Sequence, residues 1–323
     1  MLQWIKVSAV RCPVAIYLHR FVPLSNARIW RTLIDIIMLP LGLLYSLFLV
    51  VRAHLFRIEL NDDTTQLAIA AIIKNERPYI VEWIEYHKLL GFSKFYIYDN
   101  ESSDNVVSEL EDYIQKGTVD YIPMPGVMRQ CDAYNDALNR IGMRNVILAV
   151  LDLDEFLFPC KKPLPDLLNA AFSNSKVSCL CVNWCIFGSS GKRERPDGLV
   201  MENYLFRSLE DNEKNRHVKS ICVPMKTAGF INPHFAVGLP GYHAVNSKGR
   251  RANGAIGDDV SIGDIRVNHY FTKSYAEFVN KKNRGKADDI TQRSLEEFSQ
   301  HDLNDVYDDS ALFYARRLHN IIE

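Results

Sequence analysis

Val146-Ile147-Leu148-Ala149-Val150-Leu151-Asp152-Leu153-Asp154-Glu155-Phe156 is an apolar run that breaks into three carboxylates within four residues. Six consecutive apolar residues, with Val and Ile prominent, read as a strand buried on both faces, as in a parallel sheet covered by helices. Sheets of that kind bind ligands at the carboxyl ends of their strands. Alternate residues of a strand share a face, so Asp152 and Asp154 can lie on one side, and a turn at Glu155 could aim both at one point. Two anions held that close need a cation between them, or one takes up a proton. A divalent metal carrying a phosphate-bearing substrate would meet that need. A strand ending in solvated acids is the plainer reading of a lone Asp-x-Asp, and the rest of the chain decides between the two.

Upstream, the apolar run 67–73 ends in Lys74-Asn75-Glu76, with Pro78 where a helix would start and Gly91 where it would stop. A second strand at 95–98 runs into Asp99-Asn100, and a helix carrying Val106, Val107, Leu110 and Tyr113 closes at Gly117. A third strand, 119–122, and a helix over 129–141 that carries Gln130 and Asn135 lead into the Asp-x-Asp strand. Strand and helix in alternation predict an α/β fold with a mostly parallel central sheet flanked by helices. Parallel strands would bring Lys74, Asn75, Glu76, Asp99, Asp152 and Asp154 to one edge, where Asp99 can accept hydrogen bonds from a nucleobase or ribose. There is no Gly-x-Gly-x-x-Gly and no Gly-x-x-x-x-Gly-Lys-Ser/Thr, so phosphates would have to be neutralised by metal and by Lys or Arg.

The chain has 323 residues, 47% of them hydrophobic, and a net charge of -1, which gives no nucleic-acid signature. Its seven cysteines form no spaced framework, and their odd number points to reduced thiols in the cytosol. Cys179, Cys181 and Cys185 share parity in an apolar strand, so we expect them on one buried face and not on zinc. Residues 33–51 are apolar apart from Asp35 and Ser46, flanked by Arg28, Arg31, Arg52 and Arg57, and long enough to span a bilayer. Pro40 and Gly42 interrupt this stretch, and the aromatic-rich residues before it have an interfacial character. The basic flank, taken literally, would send the rest of the chain across. A folded domain that begins by Leu67 and the odd thiols argue instead that residues 1–60 associate with the cytoplasmic face of the membrane, lying in or dipping into that leaflet. Two core helices of a soluble protein are the alternative.

Five motifs in order and spacing carry a resemblance: Lys74-Asn75-Glu76; Glu82-Trp83 with Tyr86-His87; Tyr98-Asp99-Asn100 with Ser103-Asp104; Gln130 with Tyr134-Asn135; and Asp152-Leu153-Asp154-Glu155-Phe156. Over about residues 67–286 the chain resembles glycosyltransferases of the GT-A fold, specifically the family 92 or family 2-like group. The resemblance implies a Rossmann-like GT-A domain over 67–323, with a nucleotide-sugar half (67–159), an acceptor half (160–286) and a helical tail (287–323). It implies a nucleotide-sugar donor, a divalent cation on the Asp-x-Asp pair, and inversion at the anomeric carbon. It also implies that Asn268-His269-Tyr270 supplies His269 to the metal beside Asp152 and Asp154. That ligand set would suit Mn²⁺, with Mg²⁺ as the other option. Inverting displacement needs a carboxylate to take the acceptor's proton. Glu194, Asp197 and Glu202 are candidates, and Glu202, on the apolar side of its loop, is the one we favour. Lys219 or Lys226 could reach a diphosphate, and Lys273, Lys281 and Arg284 could clamp the departing nucleoside diphosphate. Ser274 and Glu277 form a capping-box pattern for the helix that carries these last residues.

The expected activity is transfer of a hexose, with UDP-hexose as donor, to a glycan or a lipid-linked oligosaccharide in surface polysaccharide synthesis. A nucleotidyltransferase on the same sheet, or a catalytically silent membrane scaffold, are the other readings.

Overall fold

The computed structural model describes residues 3–56, 60, 64–287 and 289–322, so Arg57 lies outside the described residues. Strands β1 (Gln66–Ile73), β2 (Lys94–Asp99), β3 (Val119–Pro123) and β4 (Val146–Val150) stand in the order β3-β2-β1-β4 with every pair parallel. Helices Ile80–Leu89, Glu111–Gln115 and Gln130–Ile141 make the three crossovers. All five residues of β4 are buried, and Leu148 and Val150 belong to one core cluster while Ile147 and Ala149 belong to the other. The alternation of β4 therefore fills both layers. The chain winds outward from β1 to β3 and returns on the other side of β1 as β4. The carboxyl ends of β1 and β4 thus form a topological switch point, where open sheets leave a crevice.

Beyond β4 the expectation of a mostly parallel sheet needs correction, because the sheet is mixed. After β5 (Glu155–Pro159), β6 (Val177–Ile186) and the short β7 (Phe206–Arg207), strand β8 (Val218–Cys222) inserts between β4 and β6, antiparallel to both. The hairpin β9 (Thr227–Phe230) and β10 (Ala236–Gly238) stands apart, and β11 (His243–Asn246) and β12 (Arg251–Ala252) extend the far edge. Strand β13 (Ile265–His269) runs parallel to β6 and antiparallel to β5, and β14 (Val306–Tyr307) pairs with β7. Strands β4, β6 and β8 are buried along their whole length, and a strand buried on both faces carries no sequence mark of its direction.

Cys179 and Cys181 share a buried face as expected, but Cys185 joins the opposite core cluster. The cause is that β6 leaves β8 after Asn183 and pairs with β13 from Trp184 onward. The capping box forms: Ser274 Oγ accepts from Glu277 N (3.3 Å) and Glu277 Oε2 accepts from Ser274 N (3.0 Å). The C-terminal helix Leu312–Ile322 packs on helix Ile80–Leu89 through Ala315 and Leu318, with Tyr314 against Tyr86. Phe313 and Ile322 of the same helix are exposed.

The N-terminal helices rest on the body. Helix Gln3–Arg11 lies against β9 and helix Gln130–Ile141, and Arg11, fully buried, donates from Nη1 to Thr227 O (2.6 Å) and from Nε to Asn139 Oδ1 (2.8 Å). Helices Ala27–Ile37 and Leu39–Leu55 follow, bent by 63° at their junction, and no single helix among the described residues is long and apolar enough to cross a membrane. Gly42 meets helix Gln3–Arg11 so closely that a Cβ there would stand 2.3 Å from Ala9 Cβ.

A buried ionic knot locks this layer down. Asp132, with no exposed surface, receives Arg31 Nη1 (2.9 Å) and Nη2 (2.8 Å) and faces His19 Nδ1 at 2.9 Å, while His19 Nε2 lies 3.1 Å from Asp35. Burial pushes the Asp132 carboxyl up, but His19 and Arg31 outweigh it and hold it at about 2. A carboxyl held below its unfolded value gives stability that is complete above the unfolded pKa and is lost as pH falls through the folded one. For Asp132 the window is pH 4 to 2, and its contribution is about 2 kcal/mol. Thermal melts at falling pH should therefore show a smaller loss for Asp132→Asn than for the native chain. At pH 7 the same variant should be about 3–5 kcal/mol less stable, because Arg31 is left buried without its partner; an unchanged melting temperature would remove the knot from the docking of these helices.

Candidate active site

The switch-point crevice is a cavity of about 240 Å³. Lys74 and Glu76 line it from the end of β1, Asn100 from β2, Gln130 from the first turn of its helix, and Asp152 and Asp154 from the end of β4. Trp184, His234 and His269 form one wall, and Lys281, Arg284, Lys286 and Arg293 bring cations from the segment after β13.

The carboxylate turn is braced from below. Trp83 Nε1 donates to Glu155 O (2.8 Å) and Asp152 O (3.1 Å), and Asp152 N donates to Glu155 Oε2 (2.9 Å). Asp152 Oδ1 accepts from Gln130 Nε2 (2.7 Å) and Tyr134 Oη (3.1 Å), and its Oδ2 accepts from Lys219 Nζ (2.9 Å). Lys219, only 1% exposed, also lies 3.1 Å from Glu155. Burial opposes charge on Asp152, but Lys219 outweighs it and lowers its pKa. Glu155 is left with the opposite balance: burial, with Asp152 and Asp154 alongside, raises its carboxyl to about 8 in spite of Lys219.

Asp154 is paired from above. Its Oδ2 accepts from Lys281 Nζ at 2.5 Å, and His269 Nε2 stands 3.6 Å away. Burial works against the carboxylate, yet Lys281 and His269 hold its pKa well below the usual range. Burial pushes the His269 imidazole down, against the pull of Asp154. Arg284 donates from Nη1 to Lys74 O (2.9 Å) and Asn75 O (3.1 Å) and pairs with Glu76. It thereby ties the segment after β13 to the loop after β1.

The cavity thus gathers Lys74, Glu76, Gln130, Asp152, Asp154, His269 and Arg284. Other candidates stand outside it. Asn75, in a left-handed conformation (φ 53°), joins the β1 and β2 loops: its Oδ1 accepts from Ser103 N (2.7 Å) and its N donates to Ser102 Oγ (2.9 Å). Asp99 accepts from Tyr121 Oη (2.7 Å) and Ser102 N (3.1 Å), so it organises its own loop, and the neighbouring Asn100 is the residue on the cavity wall. Asn135 bridges to β9, donating to Phe230 O (2.9 Å) and accepting from Phe230 N (2.8 Å). Lys219 lies beneath the carboxylates, and Lys226 lies near the Tyr242 ring, away from the cavity. Lys273 sits over the Tyr79 ring, 4.0 Å from its centroid, in an adjoining hollow with Glu194 and Glu277. Glu202 accepts from Leu199 N (2.8 Å) and lies 2.8 Å from His319 Nε2. It secures the C-terminal helix and does not reach the cavity.

Sequence reasoning missed Trp184, His234 and Arg293. Trp184 lies on β6 and His234 in the turn between β9 and β10, neither within a motif, and Arg293 follows an acidic stretch that gave it no signal.

Asp152, Asp154 and His269 do not fit a metal centre in this arrangement. Lys219 and Gln130 occupy the Asp152 oxygens, Lys281 occupies Asp154, and among the described residues no three His, Cys, Asp or Glu side chains are grouped to hold an ion. Positive charge reaches the carboxylates through lysines.

The model of glycosyltransferase family 92 matches residues 69–248, which stops short of His269, Lys281 and Arg284. A glycosyltransferase family 92 protein of Ricinus communis is 29% identical over 67% of this chain and 37% of its own length. One of Oryza sativa subsp. japonica is 25% identical over 67% of this chain and 35% of its own. The match thus spans only about a third of these relatives' length. Among solved structures, S. aureus TarS 1–349 in complex with UDP aligns at 14% identity and a TM-score of 0.35, over 56% of this chain and 60% of that one. That score is too low to establish a shared fold.

Removing the lysine under the carboxylates should be costly. Lys219→Met leaves Asp152 and Glu155 without their buried cation and should destabilise the chain by about 3–5 kcal/mol. Adding Asp152→Asn, which removes the stranded charge, should recover part of that loss in chemical denaturation. A double variant no more stable than the single one would mean that the cost of losing Lys219 does not come from Asp152.

Proposed function

Since the chain belongs to glycosyltransferase family 92, we propose that it transfers a hexose from a nucleoside-diphosphate sugar to a hydroxyl of a glycan or lipid-linked oligosaccharide. The observation that supports this reading most is the cavity at the β1/β4 switch point, where Asp152 and Asp154 meet Lys74, Lys281, Arg284 and Lys286. Such a site suits an anion that also offers hydroxyls. The nucleoside would lie over the ends of β1 and β2 near Asn100, with its ribose toward Asp152. The diphosphate would sit against Lys281, Arg284 and Lys286. As the bond from the anomeric carbon to the diphosphate oxygen breaks, negative charge grows on the leaving group, and fixed cations there lower the barrier. Trp184, with its indole beside His269 at 4.3 Å between ring centres, would offer an apolar face to the hexose. The acceptor oxygen attacks from the opposite face, giving inversion, and its proton passes to a carboxylate on the cavity wall. We take UDP-hexose as the donor. No step is drawn through a metal, since the donor set as arranged does not fit one.

The test is a thermal-shift series on the full chain with UDP, GDP and dTDP, each with EDTA and with Mn²⁺. UDP should raise the melting temperature with EDTA present, since a ligand at about a hundred times its Kd stabilises by about 2.7 kcal/mol. A shift seen only with Mn²⁺ would place a cation between the two aspartates and require Lys281 to leave Asp154. No shift with any nucleotide would overturn the reading. Lys281→Met, and Lys286→Met as a variant less coupled to the fold, should each weaken UDP by about tenfold or more.

A further inference from the structure

The exposed apolar surface is unevenly spread. Among the described residues, seventeen of the twenty-nine exposed large hydrophobic side chains lie between Val14 and Phe56. The polarity of this layer is inverted. In the stretch 33–51, Asp35 faces His19, Tyr45 donates its hydroxyl to Asn139 Oδ1 (2.8 Å), and Ser46 is fully buried. Leu44, Leu47 and Phe48 point outward with 66%, 59% and 55% of their surface exposed. A helix packed on a soluble body does the reverse. The inner faces are also filled, by Gly42 against Ala9 and by Leu49 and Ala53, so the outward residues are not waiting for this body's own core.

Length and charge say what covers them. Helix Leu39–Leu55 has seventeen residues, roughly 25 Å, short of the roughly 30 Å hydrocarbon core, and its 63° bend from helix Ala27–Ile37 breaks the apolar stretch into two axes. Residues 3–56 hold six Lys or Arg and one acid, Asp35. Arg11, Arg31 and Arg52 are buried and Arg28 pairs with Asp289, which leaves Lys6 and Arg20 as the exposed charge of this layer, a positive balance suited to anionic headgroups and unsuited to a second copy of the same face. Tyr17 and Trp30 are exposed in the preceding segments, the residue types that settle at headgroup level. We propose that residues 14–56 form a monotopic membrane element, whose bent helix pair enters a single anionic leaflet with both flanks on one side. The buried contacts of Asp132 with Arg31 and His19 hold that element to the body, so the leaflet stands at a set offset from the cavity.

The experiment is flotation of the full chain with vesicles of phosphatidylcholine and phosphatidylglycerol. The native chain should float with the vesicles. Leu44→Glu/Leu47→Glu/Phe48→Glu should cut the floated fraction about tenfold or more, with an unchanged melting temperature and UDP shift. Those two controls separate failure of this proposal from failure of the fold or of the nucleotide site. A native chain that stays with the soluble fraction, a triple variant that floats equally well, or a native dimer that the same substitutions dissociate without any flotation would overturn it. Reporter tags on the two termini of the membrane-bound chain should lie on the same side; opposite sides would overturn the single-leaflet placement.

Discussion

Three carboxylates within four residues at the buried end of β4 are the constraint to which the rest of the molecule answers. Like charges that close, in a medium less polar than water, repel by several kcal/mol unless cations are brought to them. No nearby residue supplies one. Lys219 comes from β8 and Lys281 from the helix after β13, 67 and 127 residues from the aspartates they meet. The antiparallel insertion of β8 between β4 and β6 is therefore more than a departure from a regular winding. It is the move that carries a lysine under the turn, and β13 with its following helix closes the turn from above.

The two lysines do different work because their surroundings differ. Lys219 is sealed beneath Asp152 and Glu155, with Tyr134 and Gln130 holding the same carboxylate from the side. Nothing entering the crevice could replace it without unpacking the core. Lys281 stands on the cavity wall, where, in the proposed function, an incoming diphosphate would share its ammonium with Asp154. A charged group held between a fixed acid and an open site is preorganised for an anion and costs little to redirect. Arg284, tied to the carbonyls of Lys74 and Asn75, holds the loop after β1 against that wall.

Much of this was legible in the sequence, and the limits have physical causes. The order β1 to β4 with its helices followed from apolar runs and Gly or Pro punctuation, since each element announces its own period. Strand direction was not legible, because β8 is buried along its whole length and a buried strand reads the same both ways. The Asp-x-Asp pair and Lys74 were brought together because loops at one edge of a parallel sheet must converge, whereas Gln130, His269 and Arg284 came through the resemblance to a known family. Asp99, Asn135 and Glu202 share that type and neighbourhood, yet their hydrogen bonds go to Tyr121, Phe230 and His319. Partners that far off leave no local mark, so a polar residue at the right edge reads as a ligand contact when it is a brace.

The N-terminal layer obeys the same rule with the opposite outcome. Buried ionic contacts such as Arg31 with Asp132 add little net stability over apolar packing, because desolvating both charges offsets their attraction. What they add is placement: an apolar helix can slide on an apolar surface, whereas a guanidinium with two hydrogen bonds to one carboxylate has a single seat. Asp132 lies two residues from Gln130, which holds Asp152. The outward apolar face and the cavity at the edge of the sheet are thus registered through one helix turn. A helix layer that needed only to cover the body could dispense with that register; one that sets the depth of a cavity relative to a surface could not.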